Sequence, residues 1–364
     1  MRITFAMGDY AWKVGGGYRV VYTYANHLVA RGHQVAILHP SHARYLPPPR
    51  GLYRWVRRRV GMLRNFLWRP RRKWQRIDNR IQMLHAPDLS AKYFPDADAV
   101  FATAWFTAFD INDLPPNKGE KFYLIQHYET WMGPKDLVDR TWLMPLHKVT
   151  VSKWLRDLSL DMGSQDVVHI PNGIDHSRFR LLTPIQSRPR RVVLLYSRLD
   201  WKGAAEGIEA IERAKQRYPD LRAVLFGVFP RPRGLPSWVE FIKNPSLDVL
   251  VGTILNGSSV FLSPSWYEGW PLAPAEAMAC GCAIVAADSK GIRDYCDDQI
   301  TALLSEPKDV SWLTANLLRV LEDDGLRIRL AEAGHRKIQE FTWERSTEML
   351  EEHLSNWVAA RSLR

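Results

Sequence analysis

The amino-acid sequence predicts an α/β protein with two doubly wound domains, each built on a parallel sheet, that face a central cleft. Three observations predict this fold class. The 364 residues suffice for about two domains at roughly 150 residues each. Strand-like and helix-like segments alternate along both halves of the chain. A polar, proline-bearing stretch from Pro171 to Arg191 separates the two series and is the best candidate for an interdomain linker.

The first half opens with a βαβ unit. Residues 2–7 form an apolar strand, the glycine cluster Gly15 to Gly17 follows, and apolar positions recur at helical spacing from Val20 to Val29. The next strand is Val35–Leu38. After a basic insert at residues 50–80, we expect strands Ala99–Ala102, Phe122–Ile125 and Val149–Val151 and the helix Ser152–Leu160.

The second half repeats the alternation. We expect strands Val192–Tyr196, Ala223–Phe226, Val260–Leu262 and Ala283–Ala287 and helices Ala204–Arg217, Ala273–Ala279, Val310–Glu322, Leu326–Phe341 and Trp343–Ala359. Two Rossmann-like domains result, and ligands of such folds bind outside the carboxyl ends of the strands.

Composition excludes several classes of protein. Hydrophobic residues make up 46% and charged residues 24%, so neither wholesale disorder nor a fibrous repeat is expected. No apolar run approaches the roughly 18 residues that cross a bilayer, and no signal peptide is recognisable, which predicts a cytoplasmic protein. Cys280, Cys282 and Cys296 are expected to be reduced and buried.

The net charge of +11 comes from the basic insert at residues 50–80, which holds twelve basic residues and one acid, Asp78. Between Leu52 and Leu67 the apolar side chains share one helical face and arginines the other, as in an interfacial helix. The side chains expected to meet an anionic membrane are Trp55, Arg57, Arg58, Arg59, Phe66 and Trp68. A solvated helix packed on its domain and a nucleic-acid-binding patch are the alternatives. Nucleic-acid binding is disfavoured because the motifs elsewhere in the chain leave such a patch without a purpose.

The glycine cluster could cradle a phosphate at a helix amino terminus, or could simply connect strand and helix. A dinucleotide-binding motif is disfavoured because Val20 takes the third glycine position and the next strand ends at His39-Pro40.

The second half carries the more specific signal. Arg198 and Lys202 directly follow a strand, where they could clamp a diphosphate or be solvated surface cations. Glu268 lies in a loop after another strand, and Glu276 about one turn into the next helix. Both carboxylates could accept hydrogen bonds from sugar or ribose hydroxyls, although Glu276 could merely complement the helix dipole.

These residues resemble those of the retaining glycosyltransferases of family 4, which have the GT-B fold. The matching segments are Glu268 to Glu276 with EAMACG behind it, Arg198 with Lys202, IPNGIDHSRF, VTVSKWL and the glycine cluster with its helix. The resemblance implies an amino-terminal acceptor-side domain at residues 1–174, a nucleotide-sugar domain at 175–342 and a helix at 343–364 that crosses back to the first domain. The segment YLIQHYE is also similar to bacterial rhamnosyltransferases.

The resemblance implies a role for each matching residue. Glu276 would hold the ribose hydroxyls, Arg198 and Lys202 the donor diphosphate, and Glu268 the donor sugar. The remaining implied contacts are backbone N–H groups around Gly269, Trp270 and Leu272, a loop formed by Gly16 and Gly17, and His127 beside the sugar, although His127 could also be a structural histidine.

Two departures from the family pattern affect donor specificity. Arg198 and Lys202 are four residues apart instead of five, and Pro271 removes one backbone N–H after Glu268.

The expected activity is retaining transfer of a hexosyl or deoxyhexosyl group from a nucleoside-diphosphate sugar, with no cofactor and no metal. The expected acceptor is a membrane-associated glycolipid or lipid-linked glycan in cell-surface polysaccharide synthesis, and the expected location is the inner face of the cell membrane. A nucleotide-sugar epimerase and a non-catalytic membrane-binding or nucleic-acid-binding protein are the alternatives.

Overall fold

The computed structural model describes residues 1–8, 15–45 and 75–362. The predicted interfacial helix, with Trp55, Arg57, Arg58, Arg59, Phe66 and Trp68, lies outside the described residues. Within the described ranges, no helix is both long and apolar enough to cross a bilayer.

The chain forms two compact units. Unit 1 consists of residues 1–172 and 343–364, and unit 2 of residues 173–342. The sequence placed the corresponding boundaries after residues 174 and 342.

The sheet of unit 1 has seven strands, and every pair of neighbours is parallel. Its strands are β1 (Arg2–Ala6), β2 (Gln34–Pro40), β3 (Gln82–Ala86), β4 (Ala99–Ala102), β5 (Glu120–Ile125), β6 (His147–Thr150) and β7 (Val167–His169). Their order is β3-β2-β1-β4-β5-β6-β7. The order reverses between β1 and β4, which are neighbours in the sheet.

The sheet of unit 2 has six parallel strands in the order β10-β9-β8-β11-β12-β13. These are β8 (Arg191–Leu195), β9 (Arg222–Gly227), β10 (Val239–Lys243), β11 (Val260–Ser263), β12 (Ala283–Ala287) and β13 (Ala302–Ser305). The reversal here lies between β8 and β11. The prediction of two doubly wound parallel sheets is confirmed.

The described α-helices flank these sheets. They are α1 (Gly16–Ala30), α2 (Trp105–Asn112), α3 (Lys135–Trp142), α4 (Lys153–Asp161), α5 (Ala204–Arg217), α6 (Leu272–Ala279), α7 (Val310–Glu322), α8 (Asp324–Ile338) and α9 (Trp343–Ser362). A π-helix spans Val249–Leu255. The buried strand residues are mostly Val, Ile, Leu, Ala and Phe, as expected for parallel strands that are covered on both faces.

The last helix, α9, belongs to unit 1, which confirms the expected return of the chain to the first domain. Trp343 meets the ring of Tyr24 on α1 edge-on, with 5.3 Å between ring centroids. Glu351 accepts a 2.6 Å hydrogen bond from Nε of Arg31, and Ser346 donates to the carbonyl of Pro171.

The predicted linker from Pro171 to Arg191 is wrong over most of its length. The boundary between the units lies after residue 172, and the following residues pack into unit 2, where Ile185 and Arg188 are buried. The Arg188 guanidinium donates to the carbonyls of Thr183, Leu255, Ser258 and Cys280 and to Oδ1 of Asn256. A single buried side chain that satisfies many carbonyls ties this polar stretch to the domain.

The three cysteines are buried and free, as expected. Cys282 donates its thiol to the carbonyl of Leu255 at 3.2 Å, and burial raises the pKa of this thiol to about 11.

Candidate functional site

The candidate site residues of unit 2 lie at the carboxyl edge of its sheet. Arg198 and Lys202 lie between β8 and α5, while Glu268, Gly269 and Trp270 lie between β11 and α6. β8 and β11 are neighbours at the point where the strand order reverses. A crevice forms at such a point because the two connections leave the sheet on opposite sides.

Lys202 and Glu268 form the central contact of this edge. Nζ of Lys202 lies 2.5 Å from Oε1 of Glu268, although 66 positions separate them in the chain. The Glu268 side chain is 10% exposed and that of Lys202 23% exposed, so water screens this ion pair only partly. The sequence placed both residues at one edge of the sheet, and the structure brings them into direct contact.

Trp201 extends the contact between the same two loops. Nζ of Lys202 lies 4.3 Å from the centroid of the Trp201 ring, a cation–π distance. The Trp201 ring stacks on Tyr267 at 5.6 Å and 18°, and its carbonyl accepts a 2.8 Å hydrogen bond from the Trp266 N–H. The ammonium is therefore held between a carboxylate and an aromatic face.

Gly203 allows the two loops to approach this closely. Its φ is +64°, and a Cβ at this position would lie 2.1 Å from the carbonyl oxygen of Pro264. Only a residue without a side chain fits here without a shift of the backbone.

Glu276 is the fifth residue of α6 and is 5% exposed. The helix begins after Pro271, and its third residue is Pro274. Because proline has no N–H, the first turn offers the backbone donors of Leu272 and Ala273 but none at Pro274. The loss of the N–H at Pro271, noted in the sequence, is thus followed by a second one.

Trp270 and Pro271 face the interior of unit 2. The Trp270 ring lies 4.8 Å from that of Tyr295 and 5.9 Å from that of Phe341. Tyr295 donates its hydroxyl to the carbonyl of Pro271 at 2.7 Å. Trp270 therefore anchors the loop with its side chain, and only its backbone can contact a ligand.

Arg198 has an exposed side chain, with Cζ 5.7 Å from the centroid of the Phe229 ring. A mobile anion could reach this guanidinium directly, since the group stands at the rim of the carboxyl edge.

In unit 1, the structure corrects the expectation for Gly16 and Gly17. They are the first two residues of α1 and do not form a loop. The apolar stripe of α1 packs on the sheet, and this packing overrides the poor helix propensity of glycine. A Cβ on Gly17 would lie 3.3 Å from the Gln126 amide, so the glycine permits a close approach.

His127 follows β5 at the carboxyl edge of the same sheet. Its Nδ1 lies 3.1 Å from the carbonyl oxygen of Tyr128, and because a carbonyl only accepts, this nitrogen carries the proton. The ring meets Trp131 edge-on at 6.2 Å.

Glu129 was missed by sequence reasoning. One of its carboxylate oxygens accepts a 2.7 Å hydrogen bond from the backbone N–H of Trp105, at the amino terminus of α2. Burial of the carboxyl nevertheless raises its pKa from 4.5 to about 7. An acid two residues after His127 was the available signal, but its burial depends on tertiary packing.

No group of three or more His, Cys, Asp or Glu side chains in the described ranges is arranged to hold a metal ion. At the carboxyl edge of unit 2, Lys202 contacts Glu268, while Arg198 and Glu276 lie in the loop and the helix that follow the same two strands. This set can bind an anion and hydroxyl groups at neighbouring positions.

Two families match the chain. The family described as glycosyl transferases group 1 matches residues 184–337, and glycosyltransferase family 4 matches residues 14–178.

Curated relatives match over parts of the chain. A phosphatidyl-myo-inositol mannosyltransferase of Mycobacterium tuberculosis is 28% identical over 221 residues, which are 55% of this chain and 58% of the relative. The chain thus spans little more than half the length of this relative. An N,N'-diacetylbacillosaminyl-diphospho-undecaprenol alpha-1,3-N-acetylgalactosaminyltransferase of Campylobacter jejuni is 30% identical over 146 residues, 38% of each chain.

Solved structures match over nearly the whole chain. Sucrose-phosphate synthase from Thermosynechococcus elongatus superimposes with a TM-score of 0.73 at 18% identity, covering 99% of both chains. Anabaena Alr3699/HepE in complex with UDP and glucose gives a TM-score of 0.68 at 15% identity, covering 98% of this chain and 100% of the other. At these identities the likeness establishes the fold, which is the expected GT-B fold.

Proposed function

The chain belongs to glycosyltransferase family 4, and from this premise we propose that it transfers a sugar from a nucleoside-diphosphate sugar to an acceptor with retention of configuration. The observation that carries the proposal is the Lys202–Glu268 pair beside Arg198, at the reversal of strand order in unit 2. A donor of this class presents a diphosphate next to sugar hydroxyls, and the edge presents cations next to carboxylates.

The proposed donor contacts follow from the chemistry of each group. Arg198 and Lys202 bind the diphosphate, Glu276 accepts hydrogen bonds from the ribose hydroxyls, and Glu268 accepts from the sugar. The backbone N–H groups of Gly269, Trp270 and Leu272 supply further donors. Pro271 and Pro274 have no N–H, so the amino terminus of α6 offers the diphosphate fewer backbone donors than a full helix terminus would. Arg198 and Lys202 therefore carry a larger share of the diphosphate charge.

Donor binding then requires a change of partners at Lys202. Its ammonium has three N–H donors, of which one is directed at Glu268. The diphosphate competes with Glu268 for the ammonium of Lys202. The sugar hydroxyls then replace that ammonium as hydrogen-bond donors to the carboxylate. The Trp201 ring, 4.3 Å from the ammonium, is a partner that this exchange need not remove.

The proposed reaction breaks the bond between the anomeric carbon and the diphosphate oxygen through an oxocarbenium-like transition state. The acceptor oxygen attacks the same face, and its proton passes to the departing diphosphate oxygen. Arg198 and Lys202 stabilise the charge that develops on the leaving group. We assign Glu268 to binding because in the donor complex its carboxylate accepts hydrogen bonds from the sugar hydroxyls, which lowers its nucleophilicity.

We further propose that transfer needs no metal, because two cations already stand where the leaving group develops its charge. Activity measured with EDTA should equal activity with added magnesium or manganese. Loss of transfer on chelation, restored by either metal, would contradict this part of the proposal.

The proposed acceptor is a lipid-linked or glycolipid sugar, with hexosyl or deoxyhexosyl transfer in cell-surface polysaccharide synthesis. Two relatives support it, since their names specify phosphatidyl-myo-inositol and diphospho-undecaprenol acceptors. Peripheral binding to the inner membrane face through Trp55, Phe66, Trp68 and the arginines at 57–59 rests on the sequence alone. Binding to anionic liposomes tests this part of the proposal. The binding should weaken as salt is added and when Arg57, Arg58 and Arg59 are changed to Gln.

The deciding experiment is a thermal-shift panel with UDP, GDP, ADP, dTDP and their common sugars. One nucleotide should raise the melting temperature of the wild type and of Glu322→Ala. This variant, which removes an exposed glutamate, is the matched control. Glu276→Ala should lose that shift. Conversion of a nucleotide sugar without acceptor would indicate an epimerase instead, and an unchanged shift in Glu276→Ala would refute the ribose role.

A further inference from the structure

The turn that follows β12 has an unusual backbone. Lys290 has φ 63° and ψ −67°, and the Gly291 N–H donates to the Ser289 carbonyl at 2.8 Å. This is a three-residue γ-turn of the rare and strained hand, with lysine at its centre. Glycine would adopt this φ without a steric penalty.

The strain at Lys290 is not needed to anchor the turn. Asp288 fixes its beginning, because one carboxylate oxygen accepts a 2.7 Å hydrogen bond from Nε of Arg293 and the other a 3.3 Å bond from the Lys290 N–H. These bonds use the backbone of residue 290 and would form equally with glycine there.

The turn lies directly against the loop of Glu268. The Glu268 N–H donates to the Ser289 carbonyl at 2.9 Å, and Glu268 pairs with Lys290 in a parallel bridge. A Cβ on Gly291 would lie 2.0 Å from the Gly269 carbonyl oxygen. The exposed Lys290 side chain therefore begins beside the residue that we assign to the donor sugar.

Ser289 supplies a second, independent observation. The residue is 1% exposed, and its hydroxyl is buried with no hydrogen-bond partner among the described residues. Buried hydroxyls are nearly always bonded, so an orphan next to a strained lysine points to a polar ligand.

We propose that Ser289 and Lys290 form an anion subsite beside Glu268, which accepts a carboxylate or phosphate group of a substrate. The Lys290 ammonium supplies the charge and the Ser289 hydroxyl a hydrogen bond. This inference rests on the proposed function, because the assignment of Glu268 to the sugar places the subsite at the sugar end of the donor. The anionic group belongs either to the donor sugar, as in a uronic acid, or to a phosphorylated acceptor.

The test compares Lys290→Gly, Lys290→Ala, Lys290→Arg and Ser289→Ala. For the donor source, kcat/KM is measured with UDP-glucose against UDP-glucuronate and GDP-mannose against GDP-mannuronate. For the acceptor source, the same sugar is offered as a neutral glycoside and on a short prenyl diphosphate. Lys290→Gly and Lys290→Ala should each lose about tenfold for the anionic substrate alone, as expected for a charged hydrogen bond, while Lys290→Arg retains activity.

Stability separates binding from a structural role. Lys290→Gly should raise the melting temperature by about 2–8 °C because strain is relieved, while Lys290→Ala should not. Ser289→Ala should leave the melting temperature unchanged, since its hydroxyl has no described partner to lose, and should lower only the anionic kcat/KM.

Two results overturn the inference in distinguishable ways. If the wild type transfers sugar and Lys290→Gly keeps every rate, the lysine binds no substrate, although the proposed function stands. If the wild type neither transfers sugar nor is stabilised by any donor of the panel, the proposed function fails and the subsite fails with it.

Discussion

The Lys202–Glu268 pair should couple the two loops energetically, and a double-mutant cycle with Lys202→Met and Glu268→Gln measures this coupling. Exposed ion pairs contribute about 0–1 kcal/mol, whereas removal of one partner from a buried pair costs about 3–5 kcal/mol. With 23% and 10% of the side chains exposed, this pair lies between the two limits. We expect Lys202→Met to cost about 2 kcal/mol in free energy of unfolding, and the coupling energy to be about 1–2 kcal/mol.

The assay is urea unfolding of the two single variants and the double variant, followed by tryptophan fluorescence and circular dichroism. The exposed pair of Arg213 and Glu209, which meets at 2.6 Å, is the matched control and should couple by only about 0.3–0.5 kcal/mol. A coupling energy below about 0.5 kcal/mol for Lys202 and Glu268 would refute the reasoning, because independent sites add within that margin.

Three further predictions concern single residues. The pKa of Glu129 is raised by burial to about 7, so its stabilising contribution is complete below about pH 4.5 and is lost as the pH rises through 7. Glu129→Gln should remove this loss and stabilise the protein at pH 8 by about 1–3 kcal/mol, as measured by urea unfolding across pH; an unchanged pH profile would contradict it. Arg188→Met should cost about 3 kcal/mol or more, because it leaves several buried carbonyls without donors, and an unfolding midpoint like the wild type's would count against this clamp. Gly203→Ala should destabilise unit 2 by about 2–4 kcal/mol through its clash with Pro264, whereas Gly163→Ala, with φ +97° and open space around the Cβ, should cost only about 1 kcal/mol. Equal melting temperatures for these two variants would exclude the clash.

The sequence predicted those elements whose pattern is local. The helix Ala204–Arg217 and the strand Ala283–Ala287 have the predicted bounds, because one is clearly amphipathic and the other is an unbroken apolar run. The helix Trp105–Asn112 was missed because six of its eight residues are buried, which leaves no polar face to reveal a period. The edge strand Val239–Lys243 was missed because it is short and its apolar residues are interrupted by Glu240, so that only Val239 is fully buried.

The same distinction between local sequence pattern and tertiary packing applies to the site. Motifs placed Lys202 and Glu268 at one edge of a sheet, since parallel strands present their carboxyl ends together. Their direct contact, and the stacking of Trp201 on Tyr267, depend on how two loops fold against each other. The buried state of Glu129 likewise depends on its packing against α2, which no short motif contains.

The return of α9 to unit 1 has a consequence for the order in which the protein is built. Unit 2 is one continuous stretch of chain, so it has all of its own residues once residue 342 has been synthesised. Unit 1 begins earlier but lacks the packing of Trp343 on Tyr24 and the bonds of Glu351 to Arg31 until its last helix leaves the ribosome. The amino-terminal domain, which usually folds first during translation, therefore gains its full set of contacts only after all residues of unit 2 have been synthesised. Until α9 has been synthesised, the side of α1 that packs against it has no such cover.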